Sequence, residues 1–420
     1  MTAFAALALL SAPGQALELR GHGGPVHALD VSPGGERTLS GGFDNAAIVW
    51  TLPGGAAESV LRFHNGPVKA AIFITDERFL TGGDDGVVAL WSVGRGEPER
   101  VFTGHQNAVA GLALAPDKRS FASAGWDGAV RVWPLDGGEP AVIEAHQGPA
   151  TSVAFAPSGA VVSAGGQDRT LKVWDASGGQ ARVVVLDAPP NAVRVAPNGE
   201  IAVSGADGAV RFFTADLAPA GSVSLGSTTL IAFAQSADGW RLAAGGVRGA
   251  AAVIDARTKT ITARLTGPGL PVWSLAFTPD GASVLSGGAD RVIRRWDAVT
   301  GAPSSPVIAA ADADPLAPYK GERGAEVFRA CAACHTLTPD DGARAGPTLH
   351  GVFGRRIATA RGYKYSEALK RLDIVWSSET IAELFRQGPS VYTPGTKMPE
   401  QIVKPDDLAA LIAFLEKATR

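Results

Sequence analysis

The chain has 420 residues, 45% hydrophobic and 19% charged, with a net charge of −3 and only two cysteines. That length exceeds one ordinary core, so two or three domains are expected. The balance of charge is not that of a nucleic-acid binder, and 52 glycines without a collagen period imply many turns.

Residues 3–10 (AFAALALL) form a short apolar run, and Gly14 and Ala16 fit the small-residue rule for a cleavage site. Residues 1–16 are therefore expected to be a signal peptide, although no basic residue precedes the apolar run. An ordinary strand or helix is the alternative. The run is too short to span a bilayer.

From residue 17 to about residue 300 the chain repeats. Trp50, Trp91, Trp133, Trp174, Phe213, Ile254 and Trp296 are 41, 42, 41, 39, 41 and 42 residues apart. An aspartate stands six residues before most of them: Asp44, Asp85, Asp127, Asp168, Asp207 and Asp290, with Arg248 in the sixth repeat. His22, His64, His105 and His146 precede the first four aspartates by 21 or 22 residues. Between these marks run alternating segments such as 26–31, 109–114 and 274–277, closed by Pro-Asp, Pro-Ser or Pro-Asn turns. Period-2 alternation with glycine punctuation predicts short antiparallel strands.

This period and its Gly-His…Trp pattern resemble the WD-repeat propeller, over about 280 residues and most clearly in repeats one to four and seven. The resemblance implies seven blades of four strands. It places each aspartate in a tight turn, bonded to the histidine and backbone, with Ser40, Thr81, Ser123 and Ser286 joining ten residues before the tryptophan. The four repeat histidines are then network members rather than metal ligands. His27 fits no pattern and is expected at the surface. To close the ring, residues 17–20 are expected to supply the outer strand of blade seven; residues 306–310 are the rival.

Residues 302–318 hold four prolines and no periodicity, the composition of a semi-extended tether. Beyond it, helices are expected at 324–330, 380–387 and 406–417; the last has acids at its start and a lysine at its end, as the helix dipole favours. Cys331-Ala332-Ala333-Cys334-His335 holds both cysteines. The string reads as a c-type haem attachment site, each thiol adding across a vinyl group and the imidazole taking the iron. A four-cysteine zinc site is excluded; a zinc site completed by His or Asp, or a redox dithiol, is the alternative. Met398 is the only methionine besides Met1 and lies in a Pro/Gly-stiffened loop suited to hold a thioether. A gap-filling core role is its plain alternative, and His350 competes for the same iron position.

The segment resembles the class I c-type cytochromes, close to the mitochondrial type. The match rests on CAACH, GPTLHGVFGR (346–355), YKYS (363–366), Trp376, PGTKM (394–398) and LIAFL (411–415). The resemblance implies thioethers at Cys331 and Cys334, and His335 on iron with its other ring nitrogen donating to the Pro347 carbonyl. It also implies Met398 as second axial ligand, with Arg355, Tyr365, Trp376 and Thr396 around the propionates. There are departures: no tyrosine precedes Pro389, Phe385 lies nearby, and the spacing from Phe328 to Cys331 follows bacterial forms. His/Met ligation leaves no open iron position, so such a haem carries electrons and does not turn over substrate.

The expectation is a multidomain chain: signal peptide 1–16; all-β seven-bladed WD-repeat propeller 17–303; linker 304–317; small all-α class I cytochrome c domain 318–420. It is expected to be an electron carrier and not an enzyme, with one covalent haem c and no catalytic residues. The expected partners are redox proteins, with the propeller binding protein. Nucleic acid and integral membrane insertion are not expected. Haem attachment outside the cytoplasm implies a periplasmic location, free or held at the membrane through a partner. The rival is an oxidoreductase whose propeller houses a second cofactor or substrate site. Residues 318–420 carry +3 and the rest of the chain −6.

Overall fold

A computed structural model describes residues 18–420 except Pro53, 176–178, Gln180, Arg248, 266–270, 305–315, 329–330, 332–334, 340–345, Gly362, Lys364, Gly395, 397–402 and Lys404. The expected signal peptide, Arg248 and most of the linker lie outside the described residues.

Seven four-stranded antiparallel sheets follow one another along the chain. Blade one runs from the innermost strand outwards as Val26–Val31, Arg37–Gly42, Ala46–Thr51 and Ala57–Arg62. Blades two to six repeat this order, and the innermost strand of blade one packs against those of blades two and seven. The architecture is a seven-bladed propeller.

The ring is closed by the N-terminal strand. Glu18–Arg20 pairs antiparallel with Val292–Asp297; among the described residues past the propeller Pro303 bridges to Trp296, and the rival segment 306–310 lies outside the described residues. Leu19, 1% exposed, enters a core shared with Val26, Trp50, Leu285 and Ile293, which ties blade one to blade seven. Arg294 adds an ion pair to Glu18 at 3.1 Å and another to Asp290.

Within the blades a hydrogen-bond chain explains the repeat. In blade one Trp50 Nε1 donates to Ser40 Oγ (2.8 Å), Ser40 Oγ lies 2.7 Å from His22 Nε2, and His22 Nδ1 lies 3.0 Å from Asp44 Oδ1. Blades two and three repeat it with Thr81 and Ser123. A neutral imidazole makes the chain one-directional: Nδ1–H donates to the aspartate and Nε2 accepts from the hydroxyl. Burial holds His105 and His146 below their ordinary range, consistent with neutral rings. Burial alone would raise Asp44, but His22 and the Gly23 N–H bring it down to about 2. There is no room for a side chain beside this chain: a Cβ on Gly125 would sit 2.2 Å from His105 Nδ1 and 2.3 Å from Asp127 Oδ1.

Some details were not anticipated. In blade four Ser163 takes the hydroxyl role, eleven residues before Trp174, because the turn between Ser163 and Asp168 is one residue longer than in the other blades. Where the histidine is missing, an arginine four residues past the aspartate answers it, Arg211 to Asp207 in blade five and Arg294 to Asp290 in blade seven. His27 is half-buried rather than superficial. Each innermost strand carries a register shift near its start, and in blade one it skips His27. Such a bulge re-aims the side chain. The ring lies between Phe43 and Trp273, with centroids 5.5 and 5.6 Å away, and burial lowers its pKa to about 4.

The C-terminal part is helical. Helices α1 (Arg323–Phe328), α2 (Glu367–Lys370), α3 (Ser378–Gln387), α4 (Pro389–Tyr392) and α5 (Pro405–Ala418) surround a core of Leu316, Phe328, Val352, Ile381, Leu411 and Phe414. The two shortest helices, α2 and α4, were not anticipated. Helices α1 and α5 cross at Gly324, where a Cβ would lie 2.2 Å from the Ala410 carbonyl oxygen and 2.4 Å from Phe414 Cβ. Ser377 and Thr380 form a reciprocal capping box on α3. Among the described residues no helix is long and apolar enough to cross a membrane.

Two outcomes test this fold. Leu19→Ala empties the closing core and should cost about 2–5 kcal/mol in denaturant unfolding of the propeller; a change inside error would mean that the N-terminal strand does not close the ring. The second concerns pH. His27, His105 and His146 have folded pKa values below 6.5, so the stability they contribute is complete above pH 6.5 and is lost as pH falls towards those lowered values. Asp30 opposes them: burial raises it to about 6, so its contribution is complete below pH 3.8 and lost as pH rises through 6. Three histidines outweigh one aspartate, so the propeller's thermal midpoint should fall from pH 7 to pH 5. A midpoint that rises would contradict the assignment of neutral, buried rings.

Candidate functional site: an apolar cavity behind a cysteine–histidine motif

The turn after α1 carries Cys331, whose N–H donates to the Phe328 carbonyl (2.7 Å); the His335 N–H donates back to the Cys331 carbonyl (2.9 Å). The loop 346–350 lies across from it. Thr336 holds that loop from one side, its carbonyl accepting the Leu349 N–H (2.8 Å) and its hydroxyl donating to Thr348 Oγ1 (3.1 Å). Arg355 holds it from the other, donating to the carbonyls of Thr348 (2.6 Å) and His350 (2.9 Å). The Pro347 carbonyl so placed lies 2.8 Å from His335 Nδ1. A carbonyl can only accept, so Nδ1 carries the proton and Nε2 is left with its lone pair.

Cys331, His335 and Pro347 line one cavity with Arg355, Tyr365, Trp376 and Thr396. Seven of the nine residues singled out from the sequence are thus brought together. Cys334 and Met398 lie outside the described residues. His350 does not line the cavity. Most of the remaining wall is apolar: Phe328, Leu349, Val352, Ile381, Leu411 and Leu415 among others. Burial lowers the pKa of Arg355 and raises that of Tyr365. Both are polar groups set in an apolar enclosure, and the side chain of Arg355 donates to neutral carbonyls, so a carboxylate presented to it would be a better partner.

These residues fit a haem. The donor set is one imidazole whose Nε2 carries the lone pair and a cysteine on the same wall, in a cavity of mostly apolar lining with a cationic and a phenolic corner for carboxylates. The sequence motif pointed to the polar members. It did not reveal the cavity's apolar walls one by one, nor that Arg62, from the outer strand of blade one, joins the lining.

Comparison with known proteins agrees with this geometry. The cytochrome c family model matches residues 321–419. The model for the WD domain, G-beta repeat, matches 14–51, 56–92, 96–134, 137–175 and 259–297, the stretches of blades one to four and seven. Cytochrome c of Cochliobolus lunatus is 43% identical over 101 residues, which is 24% of this chain and 93% of the relative. Cytochrome c of Arabidopsis thaliana is also 43% identical over 101 residues, 89% of its length. That of Ulva intestinalis is 43% identical over 111 residues, 26% of this chain and 96% of the relative. The chain belongs to the cytochrome c family through its C-terminal domain, which it carries behind a seven-bladed WD-repeat propeller.

Proposed function

We propose that the chain is an exported one-electron carrier with a single covalent haem, whose propeller holds it to a redox partner. The observation that carries this reading is the 2.8 Å bond from His335 Nδ1 to the Pro347 carbonyl, made on the wall of the apolar cavity that Cys331 also lines. Haem bound there supplies a one-electron couple whose potential is set by its axial ligands and its surroundings. Cys331 and Cys334 provide the thiols for attachment. His335 would offer Nε2 to iron, and Met398 would offer its sulfur. Pro347 fixes the imidazole tautomer and orientation, the role such outer partners play for metal-bound histidines. The apolar walls exclude water, and Arg355, Tyr365, Trp376 and Thr396 receive the propionates. With His335 and Met398 both as ligands, the protein would leave no position at iron for a substrate.

For the propeller, docking to a protein is the use that best suits a rigid ring whose repeat histidines are consumed by internal bonds. The attachment chemistry and the apolar run at residues 3–10 support export, with the periplasm as the expected location. The domains differ in charge, −6 against +3, and a mildly basic haem domain is steered to acidic partners over a range that salt screens to about 8 Å.

Two experiments test the reading. Met398→Ala should leave the haem attached, lower its reduction potential and let exogenous ligands reach the iron; an unchanged potential and visible spectrum would remove Met398 from the ligand set. Cutting the chain within 304–317 should slow electron delivery to the partner at low concentration, since tethering gives an effective concentration in about the millimolar range. Stopped-flow rates for intact and cut protein across a salt series decide it, and equal rates throughout would show that the propeller takes no part.

A further inference from the structure

The haem cavity is not built from the cytochrome domain alone. Arg62 closes the outer strand of blade one and lines the cavity together with Arg355, Arg356 and Tyr363. Its Nε and Nη1 are sealed from solvent. Its charge is felt by Asp44, in a turn of the same blade. Among the described residues that line the cavity there are three arginines and no carboxylate. Arg356 is answered by Asp373 at 3.4 Å and Arg355 by two carbonyls. Three guanidinium groups around one largely apolar space make it favourable to an anion. A haem brings two carboxylates.

The path of the chain makes such a contact reachable. The propeller ends on blade seven, where Pro303 bridges to Trp296, and Leu316 is already buried in the haem-domain core. The covalent distance from Ser304 to Leu316 is at most about 40 Å however the chain runs. Blade one is the next blade round from blade seven, so its outer edge is within reach.

We propose that Arg62 of the propeller is a haem-positioning residue: it faces the carboxylate edge of the cofactor, completes a cationic wall begun by Arg355, and makes the propeller part of the haem's electrostatic environment. This rests on the haem reading above. A cation beside the cofactor favours the form with one more electron, so Arg62 raises the reduction potential. Because Nε and Nη1 are sealed from solvent, salt screens this contribution little. Loading of haem also draws the two domains together, since the carboxylates give the arginines of both a common partner.

The test uses the full-length, haem-loaded protein. Spectroelectrochemical titration of Arg62→Gln should give, at a fixed ambient potential, a reduced-to-oxidised ratio lowered by about threefold or more, which is about 28 mV at 59 mV per decade for one electron. Arg62→Lys should stay close to wild type. Arg257→Gln, on the exposed rim of blade six, should be unchanged. The difference should persist from low to high salt. A second readout needs no variant: the Arg62 side-chain NMR signal should move between oxidised and reduced protein, because the unpaired electron of the oxidised iron shifts nearby nuclei, while that of Arg257 should not. If Arg62→Gln titrates with Arg257→Gln, or if the Arg62 signal ignores the oxidation state, the inference is wrong although the haem reading stands. If the wild type carries no attached haem, the haem reading itself fails.

Discussion

An imidazole can offer only one nitrogen to a metal while the other keeps its proton, and the partner of the protonated nitrogen decides which is which. In this chain that partner is the Pro347 carbonyl, 2.8 Å from His335 Nδ1. The bond depends on a loop with no helix or sheet to hold it. Thr336 and Thr348 pin it beside the cysteine–histidine turn, and Arg355 clamps two of its carbonyls from the cavity side. Removing either clamp would free the carbonyl and with it the choice of nitrogen. The helical frame serves the same end, since α1 delivers Cys331 and is seated on α5 by the absence of a side chain at Gly324.

The propeller solves a different problem with a similar device. Seven small sheets have little to specify their mutual angle beyond apolar packing, and a fully satisfied buried polar chain adds one permitted geometry. Tryptophan, hydroxyl, histidine and aspartate supply it in blades one to four. Blades five and seven put an arginine–aspartate pair at the same turn instead. In blade seven that arginine also reaches Glu18, so one ion-pair network both holds the turn and closes the ring.

Much of this was legible in the sequence because it rests on local or periodic chemistry. A network that needs a histidine, a hydroxyl, an aspartate and a tryptophan at fixed registers leaves its spacing in the chain, and the strand pairings and ring closure follow from that spacing. The haem-domain motifs mark Arg355, Tyr365, Trp376 and Thr396, and the fold sets them around one cavity with His335. What escaped depends on contacts without a sequence period. His27 looks like a surface residue until a strand bulge turns it towards Phe43 and Trp273. Ser163 was missed because one extra residue in the following turn shifts its spacing. The arginines at 211 and 294 replace histidine by a group four residues beyond the aspartate rather than 21 or 22 before it. Arg62 could not be found at all, because nothing near it in the chain speaks of the cavity it enters.

The account stands on one haem per chain, held at His335 and exchanging single electrons. The direct measurement is a redox titration of the purified full-length protein followed by its visible spectrum, combined with quantitation of covalently attached haem. The account predicts one attached haem per chain and a single transition with the slope of a one-electron couple. A second chromophore, a two-electron slope, or protein that folds with no attached haem would contradict it.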